Sequence, residues 1–185
     1  MVVFRLFNTV GPRQTGRYGM VVPRFVDQAL RGEPLTVYGD GEQTRCFLHV
    51  KDAVQAIIAL AESPDAVGQV FNVGSTEEVS ILELANGVLR TVDRFQVERS
   101  SLQAFKPSND VASDRVVLVP YDEAYEAGFE DMQRRVPDIS KIRELVGWEP
   151  SRSLDDILQD VVAWAREQRG GEAEGHGSRG AEELW

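Results

Sequence analysis

LTVYGDGEQTRCFLHVKDAV, residues 35–54, joins a strand signal, a tight turn and a helix signal in one run. Leu35 to Tyr38 are apolar or β-branched and read as a short strand, closed by Gly39-Asp40-Gly41. Residues 45–49 are expected to be extended. From Lys51 to Glu62, Ala53, Val54, Ile57, Ile58 and Ala61 recur at helical spacing, and Pro64 marks the end. A lone arginine, Arg45, stands between the turn and the helix, at the lip of what the flanking apolar residues define as core.

The same alternation of short strands and helices extends both ways. Upstream, VVFRLF (2–7) reads as a strand ended by NTVGP, and VVPRFVDQALR (21–31) as an amphipathic helix with Pro23 in its first turn and Gly32 as its stop. So apolar an opening strand looks cut from a larger sheet. Downstream, GQVFNVGS (68–75) is a strand, and SILELANGVLR opens a helix with Ser80 and Glu83 placed as a capping box. Phe95–Val97 and Val116–Val119 read as short strands flanking a polar loop. Residues 121–131 carry Asp122, Glu123, Glu126, Glu130 and Asp131, a spacing that fits a solvated loop and no metal-ligand pattern. Helices are expected at 138–146, before a GWEP turn, and at 153–168; residues 169–185 are Gly- and Glu-rich and aperiodic, expected as a disordered tail. The sum is an α+β or α/β fold, with residues 1–168 as one domain.

Composition bounds the function. The chain has 185 residues, 42% hydrophobic and 27% charged, enough to bury one core. No apolar run approaches the ~18 residues of a membrane span, and no signal peptide is expected. A net charge of −10 disfavours nucleic acid as a partner and makes any local group of arginines more telling. The single cysteine, Cys46, reads as a small buried hydrophobe and suits a reducing cytoplasm. His49, in an apolar setting, reads as a structural imidazole. No Gly-rich phosphate loop follows a strand, and no metal-ligand cluster is evident.

Four segments together, RLFNTVGPR (5–13), GEPLTVYGDGEQTRCFLHVKDAV (32–54), VFNVGSTEEVSILELA (70–85) and RRVPDISKIRELVGWEP (134–150), resemble the C-terminal half of the extended short-chain dehydrogenases that act on nucleotide sugars. These are the NAD-dependent epimerases, dehydratases and decarboxylases. GFEDMQRRVPDISK followed by GWEP most resembles the UDP-glucuronate decarboxylases. The resemblance implies the substrate-binding portion of a Rossmann-type enzyme whose N-terminal dinucleotide-binding part is missing. That part carries the Gly-rich NAD loop and a catalytic Tyr-x-x-x-Lys pair. Here Tyr18, Tyr38, Tyr121 and Tyr125 have Val22, Glu42, Tyr125 and Phe129 four residues on, never a lysine.

The resemblance also implies roles. Arg45 would hold the diphosphate of a UDP-linked sugar, although pairing with Asp40 or Glu42 on the surface is the plain alternative. Asn8 would hydrogen-bond the diphosphate or sugar, or merely form a turn. Thr9 would lie at the nicotinamide end of NAD. Val37 and Tyr38 would border the nucleobase, or be core. Arg135 would reach the reacting end of the substrate; if the segment is extended, only one of Arg134 and Arg135 faces the pocket. Phe129 replaces a tyrosine of some decarboxylases, and Met20 replaces a cofactor-binding arginine, with Arg17 as a substitute. The implied reaction oxidises the sugar at C4 to a 4-keto intermediate, in an enzyme that forms a homodimer, with this chain inactive by itself. A free-standing, non-catalytic nucleotide-sugar binding module or an inactive truncation are the competing expectations.

Overall fold

The computed structural model describes residues 1–16, 20–97, 114–124 and 132–175. Its elements run β1 (Val3–Leu6), β2 (Thr9–Val10), α1 (Val21–Arg31), β3 (Leu35–Tyr38), β4 (Thr44–Cys46), β5 (Leu48–His49), α2 (Val50–Glu62), a 3₁₀ turn (Pro64–Ala66) and β6 (Val70–Val73). β7 (Glu78–Ser80), α3 (Ile81–Val97), β8 (Val116–Val119), α4 (Tyr121–Ala124), β9 (Arg134–Arg135), α5 (Ser140–Val146) and α6 (Leu154–Gly175) follow. Pairing among the described residues is parallel for β1 with β6, β2 with β5, β3 with β8 and β4 with β9, and antiparallel for β4 with β7. Parallel pairs joined through helices define an α/β fold.

Local chemistry explains the boundaries. Gly32 and Gly147 end α1 and α5 in the left-handed conformation, each donating its N–H back into the helix. The Ser80 hydroxyl accepts from the Glu83 N–H at 3.1 Å while the Glu83 carboxylate accepts from the Ser80 N–H at 2.9 Å, the reciprocal box expected at the start of α3. In the 39–41 turn, Gly39 and Gly41 have φ of 73° and 77°; a Cβ on Gly39 would strike the Tyr121 ring and one on Gly41 would sit 3.0 Å from Val37.

Two apolar clusters form. Phe25, Val26, Leu84, Val88, Leu89, Ile157, Leu158 and Val161 bring α1, α3 and α6 together behind β3. Leu48, Ala56, Leu60, Phe71, Val73, Ile142 and Trp148 join α2, β5, β6 and α5. A buried carboxylate ties the second cluster to the chain that follows it. Asp52, fully buried in α2, accepts from the Ser151 N–H and hydroxyl, the Arg152 N–H and the Arg152 guanidinium, while Trp148 Nε1 donates to its carbonyl at 3.1 Å. Burial pushes the Asp52 carboxyl up, but these donors outweigh it and hold it below the ordinary carboxylate range.

His49 is the expected structural imidazole. It is fully buried, its Nδ1 accepts the Lys51 N–H at 3.0 Å to cap α2, and Nε2 therefore donates to Asp160 at 3.2 Å. Cys46 is also fully buried; burial, and then Glu78, push its thiol up.

Three expectations change. Phe95–Val97 is not a strand but the last turn of α3: Val88, Val92 and Phe95 fall on one helical face against the core, and Arg166 Nη1 donates to the Phe95 carbonyl at 3.0 Å. The 45–49 segment is extended as expected, as two strands, β4 and β5, interrupted at the buried Phe47. The acidic run begins as a short helix, α4, and residues 125–131 lie outside the described residues. The last helix continues through Gly175, so residues 169–175 of the expected tail are helical; 176–185 lie outside the described residues, as does the Arg17 alternative.

Candidate functional site

β3, β4 and β9 meet the N-terminal end of α1 and the β1–β2 junction around a cleft of about 490 Å³, within the range of small-ligand sites. Asn8, Thr9, Tyr38, Arg45 and Arg135 all line it, with Met20. Thus five of the six residues named as site candidates come together from segments far apart in sequence. Val37 does not join them. Strand alternation turns Leu35 and Val37 into the core, both fully buried, and turns Tyr38 to the cleft. A side-chain role for Val37 in binding is therefore corrected to a packing role.

The two arginines are placed by strand register. β9 pairs with β4 so that Arg45 lies opposite Arg135 and Thr44 opposite Arg134. On one face Arg134 grips Glu78 through two nitrogens, at 2.9 and 2.6 Å, and Thr44 donates to the same carboxylate at 3.1 Å. That pairing, led by the Arg134 hydrogen bonds, holds the Glu78 carboxyl below its usual range. On the other face Arg45 and Arg135 look into the cleft. Arg45 Nη1 is braced on the Thr44 and Met132 carbonyls, at 2.7 Å each, and the Arg135 guanidinium lies 5.1 Å from the centre of the Phe7 ring.

Asn8 adopts a positive φ of 34°, which asparagine tolerates better than most residues, and its Nδ2 donates to the Cys46 carbonyl at 2.9 Å. The junction between β1 and β4 is so locked beside the arginines. The Thr9 hydroxyl is buried at the cleft without a hydrogen-bond partner.

Among the lining residues that sequence reasoning missed are Arg24, Gln43 and Tyr121. Arg24 Nη2 donates to the Thr36 carbonyl at 3.0 Å and its guanidinium lies 4.3 Å from the Tyr38 ring centre. Gln43 donates to the Tyr38 carbonyl and the Tyr121 hydroxyl. A signal existed for Arg24. It and Gln28 stand four apart on one helical face, and both reach Thr36, which shows that this polar face of α1 meets β3 rather than water. Gln43 and Tyr121 carry no such spacing.

Among the described residues, the cleft lining therefore contains three arginines and no carboxylate, in a chain whose net charge is −10. Guanidinium groups gathered against that background are chemically suited to phosphate oxygens by their forked donors.

The fold and the cleft define an α/β protein of the extended short-chain dehydrogenase type. A family model described as GDP-mannose 4,6 dehydratase matches residues 1–161, and the chain belongs to that family. It is 39% identical over 168 residues to a UDP-N-acetyl-alpha-D-glucosaminuronate decarboxylase of Bacillus cytotoxicus, covering 90% of this chain and 46% of that protein. It is also 39% identical over 175 residues to UDP-glucuronic acid decarboxylase 1 of Arabidopsis thaliana, covering 95% of this chain and 34% of that protein. The chain thus spans less than half the length of these curated relatives. Among solved structures, UDP-glucuronic acid 4-epimerase from Bacillus cereus, in complex with UDP-glucuronic acid and NAD, superposes with a TM-score of 0.68 at 26% identity, over 90% of this chain and 45% of that one. UDP-glucose 4-epimerase from Thermotoga maritima, with UDP-glucose, gives a TM-score of 0.69 at 28% identity, over 91% and 46%.

Proposed function

We propose that this chain forms the nucleotide-sugar-binding portion of an NAD-dependent enzyme that oxidises a UDP-linked sugar at C4 to a 4-keto intermediate, on the way to epimerisation, dehydration or decarboxylation. The observation that carries the reading is the cleft with three arginines and no carboxylate among its described lining residues. Its relatives and structural neighbours, named for UDP-sugar decarboxylases and epimerases, support the same substrate class.

In this reading Arg45 and Arg135, side by side on β4 and β9, take the diphosphate, and Asn8 fixes the wall beside them. Arg135, beside Arg45 at the cleft, could reach from the diphosphate towards the sugar it carries. Tyr38, at the end of β3, borders the base. Binding energy gathered at the diphosphate and base holds the sugar in place for chemistry. NAD supplies the oxidation. The buried, unpartnered Thr9 hydroxyl is a group at the cleft that fits the edge of such a cofactor, as donor or acceptor. A dinucleotide pyrophosphate also needs a Gly-rich turn at a helix start, so the reading assigns that grip, and the Tyr-x-x-x-Lys pair, to residues outside these 185. The whole enzyme is read as a homodimer.

Calorimetric titration of the 185-residue chain with UDP tests the reading. Saturable binding, weakened by competing pyrophosphate, is expected. No binding of UDP, UDP-glucuronic acid or pyrophosphate would overturn it.

A further inference from the structure

We propose that Gln43 reads the nucleobase, its side-chain oxygen accepting the imide N–H of a uracil or thymine ring. This rests on the nucleotide-sugar reading of the cleft and adds to it a residue that senses the base.

Gln43 is 5% exposed and lines the cleft. Its Nε2 donates to the Tyr38 carbonyl at 3.0 Å and to the Tyr121 hydroxyl at 2.9 Å. A carbonyl can only accept, so the amide cannot be turned over without setting two acceptors against each other. Its orientation is therefore fixed, and Oε1 is left buried with no hydrogen-bond partner. A buried acceptor without a donor is costly in the free protein, and a ligand N–H relieves the cost on binding.

The surroundings select a flat donor. The Arg24 guanidinium stacks 4.3 Å from the Tyr38 ring centre, and the Tyr121 ring packs against the 39–41 turn beside it. Arg24 Nε is itself a buried donor without a partner on the same wall. An unpaired acceptor and an unpaired donor on a wall of planar groups complement a heterocyclic edge that presents N–H beside C=O. The imide edge of uracil or thymine has that pattern. Stacking on planar side chains gives such a ring its further hold.

The test is calorimetric titration of the 185-residue chain with UDP, with UDP methylated at N3 of the uracil, and with inorganic pyrophosphate. Wild type should prefer UDP to its methylated form by about tenfold or more. Gln43→Met should erase that preference and leave pyrophosphate affinity unchanged. Equal affinity of wild type for the two nucleotides would overturn the assignment, as would a preference that survives in Gln43→Met. If Gln43→Met does not fold, Gln43→Leu takes its place under the same criteria. Failure of UDP and pyrophosphate alike to bind wild type would instead sink the nucleotide-sugar reading on which this rests.

Discussion

Arg134 and Arg135 are chain neighbours with opposite fates, because consecutive side chains of a strand leave opposite faces. Arg134 is spent on Glu78, whereas Arg135 joins Arg45 at the cleft. Arg45→Ala should therefore lower UDP affinity roughly ten- to a hundredfold, the loss of a charge-assisted contact worth about 1.5–3 kcal/mol. Arg134→Ala should leave UDP affinity unchanged. Titration of both variants, with circular dichroism to confirm folding, separates a binding arginine from a surface one. Equal losses in the two would remove the register argument. The sequence could show that only one arginine of the pair faces the cleft. It could not show that Val37 packs inward while Tyr38 turns out, because both are apolar enough for either face of β3. Nor could it reveal Gln43, whose significance lies in one unpaired oxygen.

At the scale of elements, helices were legible wherever a terminal residue announces itself. Gly32, Gly147, and Ser80 with Glu83 mark ends that the backbone then adopts. Ser80→Ala should cost about 1 kcal/mol in denaturant unfolding, the typical loss of an N-terminal cap. Phe95–Val97 misled because aromatic and β-branched residues favour strands locally, while packing of Phe95 on the helical face shared with Val88 and Val92 decided the outcome.

α2 shows a long-range constraint that no local pattern displays. Its Asp52 gathers donors from residues about a hundred positions later, at Ser151 and Arg152. Asp52→Ala strands those donors and should destabilise the chain by about 3 kcal/mol. The pH dependence has a definite sign. Since the folded carboxyl is held below its unfolded value, its stabilisation is present in full at neutral pH and is lost progressively as pH falls from about 4. Unfolding followed against pH should show a smaller acid loss in Asp52→Asn than in wild type. An identical acid profile would mean that Asp52 does not contribute through its charge.

Across the whole molecule, an acidic chain places three arginines and no carboxylate among the described residues of one cleft and leaves an apolar strand partly open. Val3, Phe4 and Leu6 of β1 are 38 to 46% exposed although β1 pairs with β6. The sequence marked β1 as apolar, but its half-covered state depends on where its partner β6 lies. The chain with NAD and UDP-glucuronic acid should give no conversion of the sugar, because the Tyr-x-x-x-Lys pair and the Gly-rich loop are not in its sequence. Product detected by mass spectrometry with purified chain would contradict that division of labour. The central claim, that one arginine-lined cleft holds the nucleotide diphosphate, is tested most directly by mapping amide chemical shifts during titration with UDP. The account predicts that the largest changes fall on Asn8, Thr9, Tyr38, Gln43, Arg45 and Arg135 and that those at the shared positions need roughly ten- to a hundredfold more UDP in Arg45→Ala. Saturable changes centred elsewhere in the chain, or changes at the cleft that need no more UDP in Arg45→Ala than in wild type, would contradict it.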